Sequence, residues 1–337
     1  MIITTEDAGL YIAGVGAYLP PRQTAAEAIA AGHYDPVGAE ADDIASICVE
    51  PQLFPAEMAA AAGRDALAMA ADTAGEVRAL IHSYVDYQGA HFWQAAPHVA
   101  LHTVGAEVPS FDVVQECNGG LGSMELARRF ITGPGDAVLL TTGDRFDNPW
   151  IRRWHGDQSM FADGGSALLL SGTTGFARIT AMVTMADNSL EAEPRGGAFG
   201  PVSDTAVDFD RMRERFHTTA VPMLDHYQRL QQVLRDCVSR TFEAAETTAD
   251  KLAYVVPTVT TKWRTQIQLE RFVGVPLERS TWEFGRTVGH IGSGDQFLGL
   301  HHLVTTGKVR RGDRVLLIGG GTGYTITAAV VEIVADL

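Results

Sequence analysis

The order of apolar and polar positions divides the chain into short buried strands and longer helical stretches. Residues 11–22 (YIAGVGAYLPPR) read as a strand stopped by a proline turn. Residues 77–85 (VRALIHSYV), 136–144 (DAVLLTTGD) and 251–257 (KLAYVVP) are largely apolar runs of strand length, which suits strands covered on both faces. Residues 110–117 (SFDVVQEC), 314–321 (RVLLIGGG) and 324–334 (YTITAAVVEIV) read as further strands, and 167–172 with 177–185 as a strand pair. Helices are predicted over 55–74, rich in Ala, Met and Leu, and over 96–105, closed by Gly105. Others follow over 120–133, as one long helix over 218–246, over 265–274 with Gly274 as cap, and over 295–307. Strands and helices alternate, which predicts an α/β layered fold.

The second half repeats this theme without visible identity, so the chain divides near residue 175 into a 1–175 half and a 176–337 half. No low-complexity linker separates them, and one compact body is expected. The Gly- and Pro-rich stretch 191–204 reads as a corner, with a cover over a site as the other reading.

Composition narrows the function. The chain has 337 residues, 46% of them hydrophobic, enough for a large core or two fused halves sharing one. Lys plus Arg is 26 and Asp plus Glu is 41, so the formal net charge is 26 − 41 = −15. An acidic surface repels phosphate backbones and argues against nucleic acid as a partner. No apolar run approaches the ~20 residues of a membrane helix. The N-terminal stretch lacks a basic region ahead of an apolar core and reads as a first strand, not a secretion signal. Cysteines stand only at 48, 117 and 237, which suits a reducing cytoplasm better than a disulfide framework.

The strongest chemical signal is FDVVQECNGGLGSMELARRF, residues 111–130. A strand ends at Cys117 and a helix starts just beyond, through Gly119 and Gly120. A helix N-terminus offers free N–H groups and a favourable dipole, which favour thiolate, the attacking form that carries acyl groups as a thioester. A buried core cysteine is the plainer alternative. Cys48 and Cys237 have no such context and read as structural. His98 and His102 are spaced i, i+4, but no third metal ligand is evident and packing histidines are the favoured reading. The run GGGTGYT (319–325) meets neither a dinucleotide fingerprint nor a P-loop.

The order strand–Cys–Gly–helix–strand resembles ketoacyl-ACP synthase III and its relatives in the thiolase superfamily. Four more stretches resemble that family in order along nearly the whole chain: YIAGVGAYLPPR, SMFADGGSALLLSG with Asp163, Gly164 and Gly165, YVVPTVTTKW, and the block from Gly289 to Ile333. The resemblance implies a thiolase-like fold of two related α/β halves layered α-β-α-β-α. It implies homodimers paired through a first-half strand, and an acyltransferase with Cys117 as nucleophile. Acyl-CoA or acyl carrier protein would be the co-substrate, with no permanently bound cofactor and no metal. Carbon–carbon-forming members place His after Val-Pro and Asn after Gly; this chain has Thr258 and His290 at those positions. A neutral hydroxyl is a weaker donor than histidine, so decarboxylative condensation is disfavoured.

The segment Gly289-His290-Ile291 instead resembles the thiolase element whose His activates the nucleophile. Asp295 reads either as a third member orienting His290 or as the N-cap of its helix. Cys117 and Gly323, which precedes Tyr324 as the family's donor precedes an aromatic, would supply oxyanion N–H groups. Arg152, Arg153 and Trp154, with Arg22 as a weaker candidate, stand where relatives contact CoA, and a solvated loop face is the equal alternative. These features resemble the ester-forming enzymes of polyketide pathways (CerJ type), which move malonyl-type or short acyl groups onto a small-molecule hydroxyl acceptor. A starter-unit synthase that forms carbon–carbon bonds is the alternative. A non-catalytic partner resembling a chain-length factor is the reading from another class, and retention of Cys117 argues against it.

Overall fold

The computed structural model describes residues 2–3, 9–71, 74–147, 151–155, 159–197, 199 and 208–336. Twelve strands are present among them: β1 (Ile2–Ile3), β2 (Tyr11–Tyr18), β3 (Arg22–Thr24), β4 (Ser46–Cys48), β5 (Glu76–Ser83), β6 (Ser110–Val113), β7 (Asp136–Asp144), β8 (Gly164–Ser171), β9 (Ala177–Ala186), β10 (Leu252–Val256), β11 (Arg314–Gly321) and β12 (Thr325–Ile333). The helices are α1 (Ala25–Ala30), α2 (Pro36–Asp42), α3 (Pro55–Ala70), α4 (Ala95–Leu101), α5 (Gly119–Ala127), α6 (Phe209–Thr219), α7 (Met223–Ala244), α8 (Lys262–Gln268), α9 (Trp282–Gly285) and α10 (Asp295–Thr305).

The strands run β10-β11-β12-β9-β2-β8-β7-β5-β6, with β1 added to β9 and β3–β4 as a separate pair. One pairing scheme occurs twice. β5 is parallel to β7, which is antiparallel to β8, itself antiparallel to β2. Likewise β10 is parallel to β11, then β12 and β9 follow antiparallel. The two sets meet where Tyr11 and Ile12 pair with Arg178 and Ala177.

Side chains alternate across each strand, so successive apolar residues enter different layers. Leu140, Leu168, Leu317 and Val331 enter a central cluster with Leu121 and Met124 of α5 and Phe297 and Leu300 of α10. Their neighbours Leu139 and Leu169 face α3 and α4 on one outside. Leu316 and Val330 face α7 on the other. Two helices are thus enclosed between two sheets, with helices outside each, giving the α-β-α-β-α layering of a thiolase-like fold. Burial on both faces explains the largely apolar runs.

Several elements differ from the sequence expectation. β8 and β9 do not pair with each other, because each belongs to a different set. The long helix over 218–246 is two helices, since Pro222 has no N–H to continue one and instead precedes α7. The strand before Cys117 stops at Val113, and Glu116–Asn118 form a tight 3-10 turn. Residues 265–273 open as α8 and widen into a π turn over Leu269–Val273, closed by Gly274 at φ 84°. Residues 4–8, 72–73, 198 and 200–204, parts of the expected first strand, first long helix and corner loop, lie outside the described residues.

Close approach of α3 to β2 depends on glycine. A Cβ on Gly16 would stand 2.1 Å from the Ala62 carbonyl oxygen and 2.5 Å from the Ala66 nitrogen. Both obstacles are backbone. Gly16→Val should destabilise the protein by about 3 kcal/mol or prevent folding, and thermal or urea melting will measure it.

Candidate active site

Cys117 rides on the 3-10 turn between β6 and α5. Glu116 before it adopts φ 51°, a left-handed conformation rare for a residue with a side chain. This sharp turn sets the thiol just ahead of the α5 N-terminus.

His290 arrives from the second half. Its backbone is held like a short strand by the first half: its N–H donates to the Met160 carbonyl at 2.9 Å, and the Ala162 N–H donates to its carbonyl at 2.8 Å. Gly289 permits this at φ 85°, where a Cβ would stand 2.7 Å from that of Ala162. The buried ring puts Nε2 3.0 Å from Cys117 Sγ and Nδ1 2.6 Å from Asp295 Oδ2. A carboxylate accepts, so Nδ1 is the donor and Nε2 faces the sulfur.

Asp295 does not cap α10. Gly294 occupies the N-cap and Asp295 is the first helical residue, with no side-chain cap present. Its oxygens are otherwise engaged: Oδ2 also accepts from the Val259 N–H at 2.7 Å, and Oδ1 from the Ile291 N–H at 2.9 Å. Thr258, directly before Val259, therefore lies one peptide from this carboxylate. The structure brings Cys117, His290 and Asp295 into one hydrogen-bonded line. The Gly321–Tyr324 turn lies against the Cys117 segment, since a Cβ on Gly321 would stand 2.5 Å from the Gln115 carbonyl oxygen. Gly323, at φ 89°, has open space where a side chain would project.

Burial opposes a charged imidazole, but the Asp295 carboxylate and the Cys117 sulfur outweigh it and raise His290 well above its ordinary value. The sequence reading passed over two other carboxyls. Burial pushes Glu116 up to about 7, with Asp86 adding to the effect and a Thr322 hydrogen bond opposing it. Asp144, at the end of β7, accepts from the Val85 and Asp86 amides at 2.7 and 3.1 Å and from the Ser293 amide at 3.2 Å. It ties the loop after β5 to the turn after His290, yet full burial pushes it up to about 8. A carboxyl beside a nucleophile and one ending an apolar strand were the available signals.

The Arg152–Trp154 segment lines a cavity of about 660 Å³ with Gln23, His33 and His155. Arg153 forms a two-pronged ion pair with buried Asp163 at 2.5 and 2.9 Å. Trp154 is buried, donates from Nε1 to Gln23 at 2.9 Å and packs on Tyr34. Arg152 alone of the three remains exposed. Arg22 is exposed on β3, in reach of the Cys48 thiol. Phe146 lines the same cavity, its ring 4.7 Å from that of Phe161, which lies 5.9 Å from the His290 ring. The cavity and the triad are thus two aromatic rings apart. His98 and His102 pack their rings 4.2 Å from each other. Among the described residues no three His, Cys, Asp or Glu side chains are grouped to hold a metal ion, and no helix is long and apolar enough to cross a membrane.

Residues 242–333 match the family described as 3-oxoacyl-[acyl-carrier-protein] synthase III C terminal. Beta-ketoacyl-[acyl-carrier-protein] synthase III 3 of Streptomyces coelicolor is 28% identical over 250 residues, covering 69% of this chain and 70% of the relative. The synthase III of Solibacter usitatus is 24% identical over 288 residues, covering 83% and 84%. The solved structure of ChlB3, an acyltransferase, superposes with a TM-score of 0.92 at 28% identity, covering 97% of this chain and 98% of that one. The synthase III structure from Aquifex aeolicus gives 0.77 at 21% identity, covering 96% and 100%, and supports the fold.

Fold and relatives together make the chain similar to the ketoacyl-ACP synthase III proteins of the thiolase superfamily. They support an enzyme of the transferase type, with relatives named for acyl transfer or ketoacyl synthesis.

Between pH 4.5 and about 7 the folded state holds a proton on Glu116 that the unfolded chain has released. Stability should therefore fall as pH rises through that window and level off above it. Glu116→Gln should flatten that decline, as denaturant melts at pH 5, 6, 7 and 8 will show.

Proposed function

We propose that this enzyme carries an acyl group on Cys117 and delivers it to the hydroxyl of a small molecule. The observation that carries this reading is the line Cys117–His290–Asp295, which supplies a nucleophile, a base and an orienting carboxylate without a second histidine at position 258. Acyl-CoA or an acyl carrier protein is the donor, bearing a malonyl or other short acyl group. Its arm enters from the cavity beside Phe146, with exposed Arg152 as the cation nearest its phosphates. No permanently bound cofactor is needed.

In the first step the Cys117 thiolate attacks the thioester carbonyl carbon, the donor's C–S bond breaks, and the leaving thiol takes the proton held by His290. The Cys117 and Gly323 N–H groups face the developing oxyanion. Acylation removes the negative charge on sulfur, one of the two charges that raise His290. The imidazole thus becomes a neutral base when the acceptor arrives. In the second step the acceptor hydroxyl gives its proton to Nε2, its oxygen bonds to the acyl carbon, and the electron pair of the broken C–S bond returns to Cys117.

The relatives named as ketoacyl synthases support a second reading, carbon–carbon bond formation with Thr258 and His290 replacing the usual pair. Enolate formation from malonate needs a strong carbonyl donor, and the loss of one such donor costs on the order of 100-fold. Intact mass after incubation with malonyl-CoA should show a malonyl adduct on the wild type and none on Cys117→Ala. Labelled CO2 released from carboxyl-labelled malonyl-CoA in step with product would establish condensation instead. Adducts on Cys48 or Cys237 would remove Cys117 from the role.

We further propose a homodimer formed through β6. That strand ends the sheet with one edge unpaired among the described residues, and Phe111, Val114 and Leu126, which shares a surface pocket with Val113, are exposed. Light scattering should give twice the 36.2 kDa chain mass, and Phe111→Lys should shift the protein towards monomer.

A further inference from the structure

Gln296 follows Asp295 in α10 and is buried. Its Nε2 lies 3.2 Å from the Ile318 carbonyl oxygen and 3.0 Å from Thr258 Oγ1. A backbone carbonyl only accepts, so Ile318 fixes which end of the amide turns this way. The amide NH2 then spends one hydrogen on Ile318 and the other on Thr258. The amide oxygen is left buried with no partner among the described residues. Turning the amide over would set its oxygen against the Ile318 carbonyl oxygen and lose that bond, although Thr258 could then donate to it.

Thr258 Oγ1 is thereby an acceptor from Gln296, and its own hydrogen is left to donate. No hydrogen bond from this hydroxyl to the protein is formed among the described residues. Thr258 is half-buried, and the next amide, that of Val259, binds the same Asp295 oxygen that holds His290. A single O–H donor of fixed sense therefore borders the triad.

Resting on the acyl-transfer reading, we infer that Thr258 donates its hydrogen to the attacking atom of the acceptor and so selects a hydroxyl over an amine, with Gln296 as the positioning residue that sets the donor's sense. An alcohol oxygen has two lone pairs. One accepts from Thr258 while the other attacks the acyl carbon, and the O–H proton passes to His290 Nε2. An O–C bond forms, the C–S bond to Cys117 breaks, and thiolate and imidazolium are restored. A neutral amine has one lone pair, which cannot accept from Thr258 and attack at once. An ammonium group has none.

The test separates loading from discharge. Wild type, Thr258→Val, Thr258→Ser and Gln296→Leu are loaded from acetyl-CoA or malonyl-CoA and freed of CoA. Each is then mixed at one pH with 2-phenoxyethanol or 2-phenoxyethylamine, and loss of the adduct is followed by intact mass against buffer alone. The wild type should discharge faster to the alcohol than to the amine. Thr258→Val should slow the alcohol reaction on the order of tenfold, the loss of one ordinary hydrogen bond, while the amine reaction changes less than about twofold. Thr258→Ser should keep the wild-type pattern, and Gln296→Leu should show a smaller loss of the same kind. Equal slowing of both probes in Thr258→Val, an unchanged alcohol rate, or failure of Thr258→Ser would overturn the inference. So would a wild-type adduct that the alcohol discharges no faster than water. A wild type that never loads Cys117 would overturn the acyl-transfer reading itself, which loading alone reports.

Discussion

The Asp295 carboxylate is 3% exposed and accepts hydrogen bonds from the His290 ring and from the amides of Val259 and Ile291. Three N–H donors converging on two oxygens are what an ionised carboxylate needs in a site with almost no water. Each donor belongs to a different part of the site. The ring bond sets the tautomer that faces Cys117, the Ile291 bond shapes the turn after the histidine, and the Val259 bond docks the loop that carries Thr258. Removing this charge would free all three at once, so the geometry is cooperative.

In the proposed acyl transfer, charge also supplies the order of events. The Asp295 carboxylate and the Cys117 sulfur both favour the protonated His290 imidazole, and a thioester on that sulfur would remove one of the two effects. The same side chain would then serve as acid towards the donor's leaving group and as base towards the acceptor.

Most of the fold was legible because its strands are covered on both faces. Residues 136–144 and 314–321 are continuous apolar runs for that reason, and their limits were read from the sequence without error. Periodicity was less informative where one residue decides. Pro222 splits a stretch whose composition is otherwise helical, and the strand expected up to Cys117 stops at Val113, ahead of the turn that Glu116 enters with positive φ. Cys117, His290 and Asp295, which the structure joins in one hydrogen-bonded line, were singled out through spacing and family likeness. The choice between cap and triad for Asp295 was not, because both demand the same residue at the same distance from a helix start. Arg153 and Trp154 read as free ligands because Asp163 and Gln23, their partners, lie far off or without pattern in the sequence.

The repeated strand scheme has a consequence for how such a chain came to exist. Cys117 precedes α5 in one half and His290 precedes α10 in the other, and these two helices are enclosed between the sheets. Either half alone would hold only part of the chemistry and would present the apolar side of its inner helix to water. A half-length forerunner would therefore have been insoluble or paired with a copy of itself. Joining two such halves in one chain makes the pairing permanent and leaves the two helix entrances free to differ, one carrying sulfur and the other imidazole. The asymmetry of the site is thus compatible with a symmetric frame whose pairing is required for solubility.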